Sequence, residues 1–236
     1  MQLFYKPTLT ENTKQFVFDK TESRHIVRVL RKTEGNQLYI TNGNRLLFKS
    51  KIVVANDKKC IVDILAIEEK EKPWEYHLHI AIAPTKNNDR LEWFLEKATE
   101  IGIDEITPLL CEHSERKIIK EERLAKILVS AMKQSLKYQL PKLNSFTKFS
   151  DFIQQDFKNN ELFIAHCEDS EKLLLKNQLN LNKKVTILIG PEGDFSSSEI
   201  LKALAQNFKP ISLGESRLRT ETAGLVAVQT VSCFYQ

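Results

Sequence analysis

The sequence contains the segment Leu188-Ile189-Gly190-Pro191-Glu192-Gly193-Asp194-Phe195-Ser196, in which an apolar strand runs into a tight turn and then a helix. Proline suits position i+1 of a type I turn and glycine suits position i+3, so a turn is predicted at Gly190–Gly193. Ser196 and Glu199 have the spacing of a capping box for the following helix. Few side chains shield this backbone, so its N–H and C=O groups can approach a ligand closely. An ordinary β-turn is the alternative interpretation, and this segment alone leaves both open.

A second strand-to-helix segment is Leu213-Gly214-Glu215-Ser216-Arg217-Leu218-Arg219-Thr220-Glu221-Thr222-Ala223-Gly224. Two arginines, one carboxylate and two hydroxyls fall within Arg217–Thr222, and the helix behind them is apolar on most sides. A helix that is apolar all round is buried, so we expect this polar cluster to stand on a rigid core element. A polar surface loop with threonine caps is the alternative.

Outward from these two segments, the chain alternates strands with helices from residue 76 onward. Strands are predicted at 78–83, 106–111, 162–165, 185–189 and 211–213, and helices at 88–101, 121–140, 197–207 and 223–233. This alternation indicates a largely parallel sheet with helices on both faces. In such sheets ligands bind beyond the carboxyl ends of the strands.

Residues 1–72 have a different pattern, which favours a small β-barrel. Strand-like runs at 36–40 and 45–49 flank Asn42-Gly43, a strong hairpin signal, and further strands are predicted at 52–54 and 60–67. The charge run Glu68–Pro73 is typical of a linker. We therefore predict two domains, 1–72 and 73–236.

One helix interrupts these strands, beginning at the D-x-x-E capping box Asp19–Glu22. Its predicted apolar face is formed by Ile26, Val29 and Leu30, and the opposite face by Arg24, Arg28 and Arg31. The pattern places no acidic partner on the arginine face, which favours phosphate binding over a solvated charged face. Residues 1–72 also hold 14 lysines and arginines against nine acidic residues, although the whole chain carries only +4.

The composition excludes several other classes of protein. With 42% hydrophobic and 28% charged residues, the chain is an ordinary globular protein. No apolar run approaches the roughly 18 residues of a membrane span, and we see no secretory signal, so we expect a cytoplasmic protein without a membrane partner. The four cysteines lie far apart, which favours reduced and mostly buried thiols. His77 and His79 share a strand face without nearby ligands, so they are predicted to be structural or solvent-facing, and no metal is expected.

Six groups of residues in order along the chain carry a resemblance to a known family. They are His25–Arg31 (H-x-x-R-V-L-R), Lys86 with Arg90–Trp93 and Glu96–Gly102, Ile106–Leu109, Gln134-Ser135 with Pro141, Gly190–Gly193, and Leu218–Ala223. Together they resemble the SPOUT class of RNA methyltransferases, and more closely the 16S rRNA (uracil-N3)-methyltransferase family, RsmE. The resemblance runs nearly end to end.

This resemblance implies an α/β fold in which a C-terminal SPOUT trefoil-knotted α/β domain follows a small PUA-like RNA-binding β-barrel. It also implies S-adenosylmethionine bound in the knot loops, a homodimer, and 3-methyluridine in the decoding region of 16S rRNA in the 30S subunit as product. Two alternatives are a SPOUT enzyme with another RNA acceptor, such as a ribose 2′-hydroxyl or a tRNA base, and a non-catalytic ribosome-assembly factor. The full-length resemblance argues against the first alternative, and the intact Arg219–Thr222 argues against the second.

The resemblance and the chemistry together give candidate site residues. N3 of uracil must lose a proton, so a carboxylate base and an arginine that stabilises the uracil carbonyls are needed. Glu221 and Arg219 are the first candidates for these two roles, with Glu192 as the rival base. The alternative for Glu221 is a structural role, in which it pairs with Arg219 or caps the last helix. The predicted cofactor-binding residues are Ala165, His166, Ile189, Gly190, Glu192, Gly193, Leu213, Gly214, Ser216, Leu218, Arg219 and Thr220. The predicted RNA-binding residues are Arg24, Arg28, Arg31, Lys86 and Arg90.

Three positions depart from the family pattern. Asp194 stands where the family usually has glycine, and Lys137 stands where arginine is usual, which keeps the charge but loses the bidentate fork. Ser216-Arg217 reverses the usual order of an arginine and an aliphatic residue before Leu218.

Overall fold

The structure, a computed structural model, describes residues 1–235. The chain divides into two compact units. The first contains Met1–Lys72 together with Met132–Leu140, and the second contains Pro73–Ala131 and the chain from Pro141 onward. Residues 132–140 thus belong to the first unit, although the sequence assigned them to the second domain.

The first unit contains a five-stranded sheet in the order β1-β3-β4-β5-β2, with β1 and β2 at its edges. Its elements are β1 (Leu3–Tyr5), β2 (Gln15–Val17), α1 (Lys20–Arg24), β3 (Gln37–Thr41), β4 (Leu46–Val54) and β5 (Ile61–Glu69). The predicted Asn-Gly hairpin is confirmed, because β3 and β4 are antiparallel with Thr41 opposite Leu47. The charge run at 68–73 is not wholly a linker. Its first two residues lie in β5, where Glu68 pairs with Lys49 and Lys70.

The predicted helix in this unit begins as expected but changes its pitch. The Asp19 carboxylate accepts a hydrogen bond from the Glu22 N–H, and α1 continues as a π-helical turn, His25–Val29. A π-turn has more residues per turn than an α-helix, so the expected face is rotated. Ile26 is fully buried, whereas Val29 is 66% exposed and does not belong to the apolar face that the sequence predicted.

The second unit is built on an entirely parallel sheet in the order β11-β13-β10-β12-β6-β7-β8, with β9 beside β7. Its strands are β6 (His77–Ile82), β7 (Glu105–Leu110), β8 (Lys142–Leu143), β9 (Thr147–Lys148), β10 (Glu161–Ala165), β11 (Leu173–Leu174), β12 (Lys184–Ile189) and β13 (Lys209–Ser212). Its helices are α2 (Asn88–Ile101), α3 (Glu121–Gln134), α4 (Phe149–Phe152), α5 (Leu175–Gln178), α6 (Ser197–Ala205) and α7 (Thr220–Phe234). The predicted α/β class is confirmed.

Two helix boundaries differ from the sequence prediction by three residues or more. The helix α3 ends at Gln134 rather than at residue 140, because Leu136 takes a φ of 53° and the chain turns away. The next residues then pair within the first unit, where Tyr138 C=O accepts from Arg45 N–H at 2.8 Å. At the other end of the chain, α7 begins at Thr220, three residues before its predicted start.

Helices cover both faces of the parallel sheet. On one face Ala81 and Leu188 pack in a buried cluster with residues of α4 and α6, including Ile200. On the other face α7 lies against Ile82, since a Cβ added at Gly224 would meet the Ile82 Cδ1 at 2.9 Å. Because both faces of the sheet are covered, successive residues of each strand are buried, and the strands appear in the sequence as continuous apolar runs.

His79 lies inside this unit and has a structural role. Its Nε2 is 2.7 Å from the Thr107 hydroxyl, and its ring makes an edge contact with Phe152. Burial lowers the pKa of the imidazole to about 4. His77 on the same strand is exposed.

Three further features bear on the class of protein. No helix within residues 1–235 is long and apolar enough to cross a membrane. The same residues contain no cluster of three or more histidine, cysteine, aspartate or glutamate side chains that could hold a metal ion. All four cysteines are free, and Cys167 and Cys233 are exposed, so only Cys60 and Cys111 have the buried thiols that the sequence favoured.

Candidate active site

Three loops leave neighbouring strands at the carboxyl edge of the parallel sheet. Ala165, at the end of β10, pairs with Ile189 at the end of β12 and with Ile211 in β13. The loops at 166–172, 190–196 and 213–219 therefore start side by side. This is the edge at which α/β proteins bind their ligands.

The loop after β12 forms a tight turn one residue later than predicted. The Asp194 N–H donates to the Pro191 C=O at 3.0 Å, so the turn is Pro191–Asp194 and not Gly190–Gly193. The predicted capping box of α6 is confirmed, with Ser196 and Glu199 bonding reciprocally. The Glu199 carboxylate also accepts from the Glu112 N–H at 2.9 Å, which ties the loop after β7 to the same helix end.

Asp194 adopts a left-handed backbone conformation, and its side chain bonds to the loop after β10. Its φ of 63° lies in the left-handed region, where glycine is favoured and aspartate is among the better tolerated other residues. Its Oδ2 accepts from the Cys167 N–H at 2.7 Å, and its Oδ1 accepts from its own neighbour Phe195 at 2.8 Å. The carboxylate thereby joins the loop after β12 to the loop after β10.

The loop after β13 delivers the polar cluster to the start of α7. Arg219 is the N-cap residue, and its C=O accepts from the Ala223 N–H at 2.7 Å. No side chain caps this helix, so the threonine caps considered from the sequence are wrong. Thr220 and Glu221 are buried, whereas the side chains of Arg217 and Arg219 are exposed.

Two adjoining cavities lie where these loops meet, with volumes of about 510 and 480 Å³. They share Ala165, Cys167, Arg217, Leu218 and Ala223. All twelve predicted cofactor-binding residues line one or both: Ala165, His166, Leu213, Gly214, Ser216 and Leu218 the first, and Ala165, Ile189, Gly190, Glu192, Gly193, Leu218, Arg219 and Thr220 the second. Cys167 and Lys172 also line them and were missed, although Cys167 follows directly on the two residues predicted at the end of β10.

The two candidate carboxylates occupy different positions. Glu192 lines the second cavity; its Oε1 accepts from the Lys86 N–H at 2.9 Å, while its buried Oε2 has no partner within the described residues. Glu221 does not line either cavity. Its Oε1 lies 3.8 Å from the Nε of Arg90, which does line the second cavity, and its Oε2 is buried without a partner in the same part of the chain. The pairing of Glu221 with Arg219 considered from the sequence is therefore replaced by a pairing with Arg90.

The loop after β7 holds two of the neighbouring loops in place. The His113 Nδ1 is 3.1 Å from the carbonyl oxygens of both Gly193 and Asp194. The Arg116 guanidinium donates to the carbonyl oxygens of Thr85 and Lys86. Residues 112–116 thus connect the loop after β6 to the loop after β12. No local sequence pattern marks these residues, because their partners are more than twenty residues away along the chain.

His166 brings a buried imidazole to the first cavity. Its residue is 9% exposed, and its Nδ1 has no hydrogen-bond partner within residues 1–235. Burial, together with the nearby Lys172 ammonium, lowers the pKa of this imidazole below its usual value. A neutral ring nitrogen is therefore available to a ligand.

The predicted RNA-binding residues differ in how their charges are compensated. Arg24, Arg28 and Arg31 are all exposed in the first unit, but Arg28 donates to Asp57 at 2.9 Å from both Nε and Nη2. The expectation of an arginine face without acidic partners is therefore wrong for Arg28, because Asp57 comes from a loop far along the chain. In the second unit Lys86 pairs with Glu115 at 2.9 Å, and Arg90 pairs with Glu221.

Comparison with known families gives matches in both parts of the chain. A model of an RNA methyltransferase domain matches residues 71–232, and a model of an RNA methyltransferase PUA domain matches residues 18–65. Ribosomal RNA small subunit methyltransferase E of Buchnera aphidicola subsp. Acyrthosiphon pisum is 31% identical, over 94% of this chain and 89% of that protein.

Solved structures give the same match over the full length. A probable rRNA-methyltransferase from Porphyromonas gingivalis is 43% identical with a TM-score of 0.93, covering 100% of this chain and 98% of that one. A methyltransferase from Legionella pneumophila, solved in complex with the bound cofactor SAM, is 29% identical with a TM-score of 0.86, covering 98% and 96%. The similarity therefore extends over both units.

Proposed function

This chain belongs to the RsmE family of ribosomal RNA small subunit methyltransferases, and we propose that it methylates N3 of a uridine in the decoding region of 16S rRNA. It is an S-adenosylmethionine-dependent rRNA methyltransferase. We further propose that the substrate is the 30S subunit, and we assign roles in the reaction to individual residues of the site.

The two cavities suit S-adenosylmethionine in size and in lining. Their volumes of about 510 and 480 Å³ fall within the roughly 300–1,000 Å³ of typical ligand sites. The unpartnered Nδ1 of His166 offers a hydrogen bond to the ligand, and the backbone at Gly190 and Gly193 is open to close approach. When bound, S-adenosylmethionine supplies an activated methyl group on its sulfonium, whose transfer needs no metal ion.

The chain's own residues must remove the N3 proton of the uracil. We assign this to Glu192, because its carboxylate lines the second cavity and keeps one buried oxygen that has no hydrogen-bond partner among residues 1–235. The Lys86 N–H holds the other oxygen and so fixes the direction of the free one. This observation carries the proposal, and it reverses the order of the two candidate bases that the sequence favoured.

Glu221 has a different role in this arrangement. Its Oε1 lies 3.8 Å from the Nε of Arg90, which lines the second cavity while Glu221 does not, so we assign Glu221 to positioning Arg90. Arg219, which is exposed and lines the same cavity, stabilises the negative charge that develops on the uracil carbonyls. The target base must be unpaired or flipped out of its helix to reach either residue.

The decisive experiment is methyl transfer from labelled S-adenosylmethionine to purified 30S subunits, with the modified nucleoside identified by mass spectrometry. We expect 3-methyluridine. Label on another nucleoside keeps the enzyme class and refutes the acceptor, whereas binding of cofactor and 30S subunits without transfer supports the assembly-factor alternative. Glu192→Gln should reduce kcat by about 10²–10⁴-fold while S-adenosylmethionine still binds. A larger loss in Glu221→Gln than in Glu192→Gln would return the role of base to Glu221.

The oligomeric state and the knot are further parts of the proposal. Apolar side chains remain on the surface of two helices of the second unit, with Trp93 on α2 and Phe234 on α7 each 41% exposed. We infer that these helices contribute to a homodimer, which light scattering coupled to size-exclusion chromatography tests by mass. We also infer that the C-terminal part of the second unit forms the trefoil knot that the resemblance to SPOUT methyltransferases implies, which the RNA methyltransferase domain match at residues 71–232 supports.

The first unit is proposed to be a PUA-like barrel that grips rRNA phosphates through Arg24, Arg28 and Arg31. The PUA family match at residues 18–65 and the exposure of all three guanidiniums support this role. Since the substrate is the small ribosomal subunit, we propose that the protein works in the cytoplasm.

A further inference from the structure

A third and larger cavity, of about 760 Å³, lies away from the two cavities described above. Its nine lining residues are Lys117 to Arg123, Lys126 and Phe146, from the loop after β7, the first turns of α3 and the segment before β9. Hereafter it is called the α3 groove. All of these residues belong to the second unit, and none has a role in the site proposed above.

The charges in the α3 groove favour an anionic partner. Lys117, Lys120 and Lys126 are exposed, and their ammonium groups have no hydrogen-bond or ion-pair partner within residues 1–235. The fourth basic residue, Arg123, is already held by Glu92 through its Nε and Nη2.

The acidic residues at the α3 groove only partly oppose these lysines. One carboxylate oxygen of Glu121 accepts from the Phe146 N–H at 2.8 Å, so this side chain is held towards the segment before β9. Glu122 is exposed. Glu121 keeps its negative charge when an N–H donates to it, so three free ammonium groups face two carboxylates in the α3 groove.

The apolar residues at the α3 groove are suited to bases. Ile118 is 79% exposed, and Ile119 and Phe146 are half-buried in the lining. Proteins bind single-stranded nucleic acid in positively charged grooves where ammonium groups contact phosphates and aromatic side chains stack on bases, and here the aromatic ring is that of Phe146.

The α3 groove is joined to the active-site loops by the chain itself. Lys117 directly follows Arg116, whose guanidinium holds the Thr85 and Lys86 carbonyls, and Lys86 N–H holds the Glu192 carboxylate. His113 in the same loop contacts the carbonyls of Gly193 and Asp194. A strand bound at Lys117 is therefore next to the segment that positions the proposed base.

From these observations we propose that the α3 groove binds a single-stranded segment of rRNA adjoining the target nucleotide. The proposal rests on the proposed function, since it supplies a second RNA contact for the same substrate. It adds to the catalytic unit an RNA-binding surface that is separate from the arginines of the first unit.

The test compares two triple variants of the full-length protein. Lys117→Gln/Lys120→Gln/Lys126→Gln removes the three free charges of the α3 groove. Lys158→Gln/Lys176→Gln/Lys202→Gln removes three exposed lysines of the same unit that lie outside it and is the matched control. The probes are a fluorescein-labelled oligouridylate of about 12 nucleotides, read by fluorescence anisotropy, and purified 30S subunits, read by methyl transfer.

We expect the groove variant to bind the oligouridylate at least about tenfold more weakly than wild type, and the slope of log Kd against log salt to fall by about 2, for three lost contacts to single-stranded RNA. Its KM for 30S subunits should rise by a similar factor, while its Kd for S-adenosylmethionine, measured by calorimetry, stays unchanged. The control variant should keep the wild-type values.

Three results would overturn the proposal. Unchanged affinity and salt slope in the groove variant exclude RNA contacts there, and an equal loss in the control variant reduces the effect to general charge. Weaker 30S binding with unchanged oligouridylate affinity assigns the groove to a ribosomal protein instead. If the wild-type protein methylates no 30S subunits, the proposed function fails, but the oligouridylate measurement still decides whether the groove binds RNA.

Discussion

Replacing Gly224 by alanine would add a methyl group where α7 lies closest to the sheet and to α2. The new Cβ would lie 2.8 Å from the Phe94 Cε2 and 2.9 Å from the Ile82 Cδ1. Both neighbours are fully buried, so neither side chain can move out of the way into solvent. The helix itself must therefore shift by a few tenths of an ångström, and the three following consequences can be measured.

The first consequence is a loss of stability. Overpacking a well-packed core costs about 1–3 kcal/mol. Because two contacts would lie under 3.0 Å and neither neighbour can move into solvent, we take the upper part of that range, about 2–3 kcal/mol, and the better helix propensity of alanine offsets about 1 kcal/mol of it. We expect a net destabilisation of about 1–2 kcal/mol. For a chain of this size that lowers Tm by roughly 2–8 °C, which thermal unfolding followed by circular dichroism resolves.

The second consequence is a coupling to Ile82, which separates the steric cause from any other. Ile82→Val removes the Cδ1 that the new methyl group would approach. In the wild-type background this substitution costs about 0.5–1.5 kcal/mol, whereas in the Gly224→Ala background it should cost less or restore stability.

The third consequence is a loss of activity, because Arg219, Thr220 and Glu221 stand at the start of the displaced helix.

Strict additivity of the two substitutions would refute this reasoning, as would a Gly224→Ala protein that is as stable as wild type. Either result would mean that α7 does not pack on Ile82 and Phe94 as closely as the structure has it. If Gly224→Ala reduces activity while its stability change adds to that of Ile82→Val, the loss of activity arises within α7 and not from its contact with Ile82. The double-mutant cycle therefore tests the packing independently of the proposed reaction.

The remaining predictions concern pH, the cofactor loops and the arginines of the first unit. Because burial lowers the pKa of His79 to about 4, the unfolded chain binds more protons than the folded one below the ordinary histidine pKa, so stability is lost as the pH falls. This contribution amounts to about 2 kcal/mol between about pH 7.5 and about pH 5, and urea unfolding of His79→Gln should show a correspondingly flatter pH dependence. Asp194→Ala removes the bond to the Cys167 N–H and strains a left-handed backbone, so calorimetry should show S-adenosylmethionine binding weakened by about tenfold, whereas Asp194→Gly should recover the backbone but not the bond. Arg24→Ala/Arg31→Ala should weaken rRNA binding and lower its salt slope by about 1.5, and equal effects of Arg28→Ala alone would contradict the view that Asp57 compensates Arg28.

Much of the fold was predictable because it depends on neighbours in the sequence. The alternation of apolar strands with helices predicted the parallel sheet. The Asn42-Gly43 pair predicted the β3–β4 hairpin, and Ser196 with Glu199 predicted the start of α6. Each of these signals is formed by residues a few positions apart, so it does not depend on contacts with distant parts of the chain.

The errors have a common origin in contacts between distant residues. The end of α3 was misplaced because residues 138–140 pair with the loop between β3 and β4. Arg28 was considered unpaired because Asp57 lies 29 residues away. The predicted position of Val29 on the apolar face was wrong because the helix changes to a π-turn, and the spacing of the apolar residues gives no sign of that change.

The sequence by itself determined the α/β class, the loops that form the candidate site and the RsmE family, since these depend on local periodicity and on motifs read in order. Only the tertiary structure decided which charges face each other. It paired Glu221 with Arg90, left Glu192 with a free oxygen at the second cavity, and joined Asp194 to Cys167. The physical reason is that hydrogen bonds and ion pairs act over about 3–4 Å in space, and sequence separation carries no information about that distance.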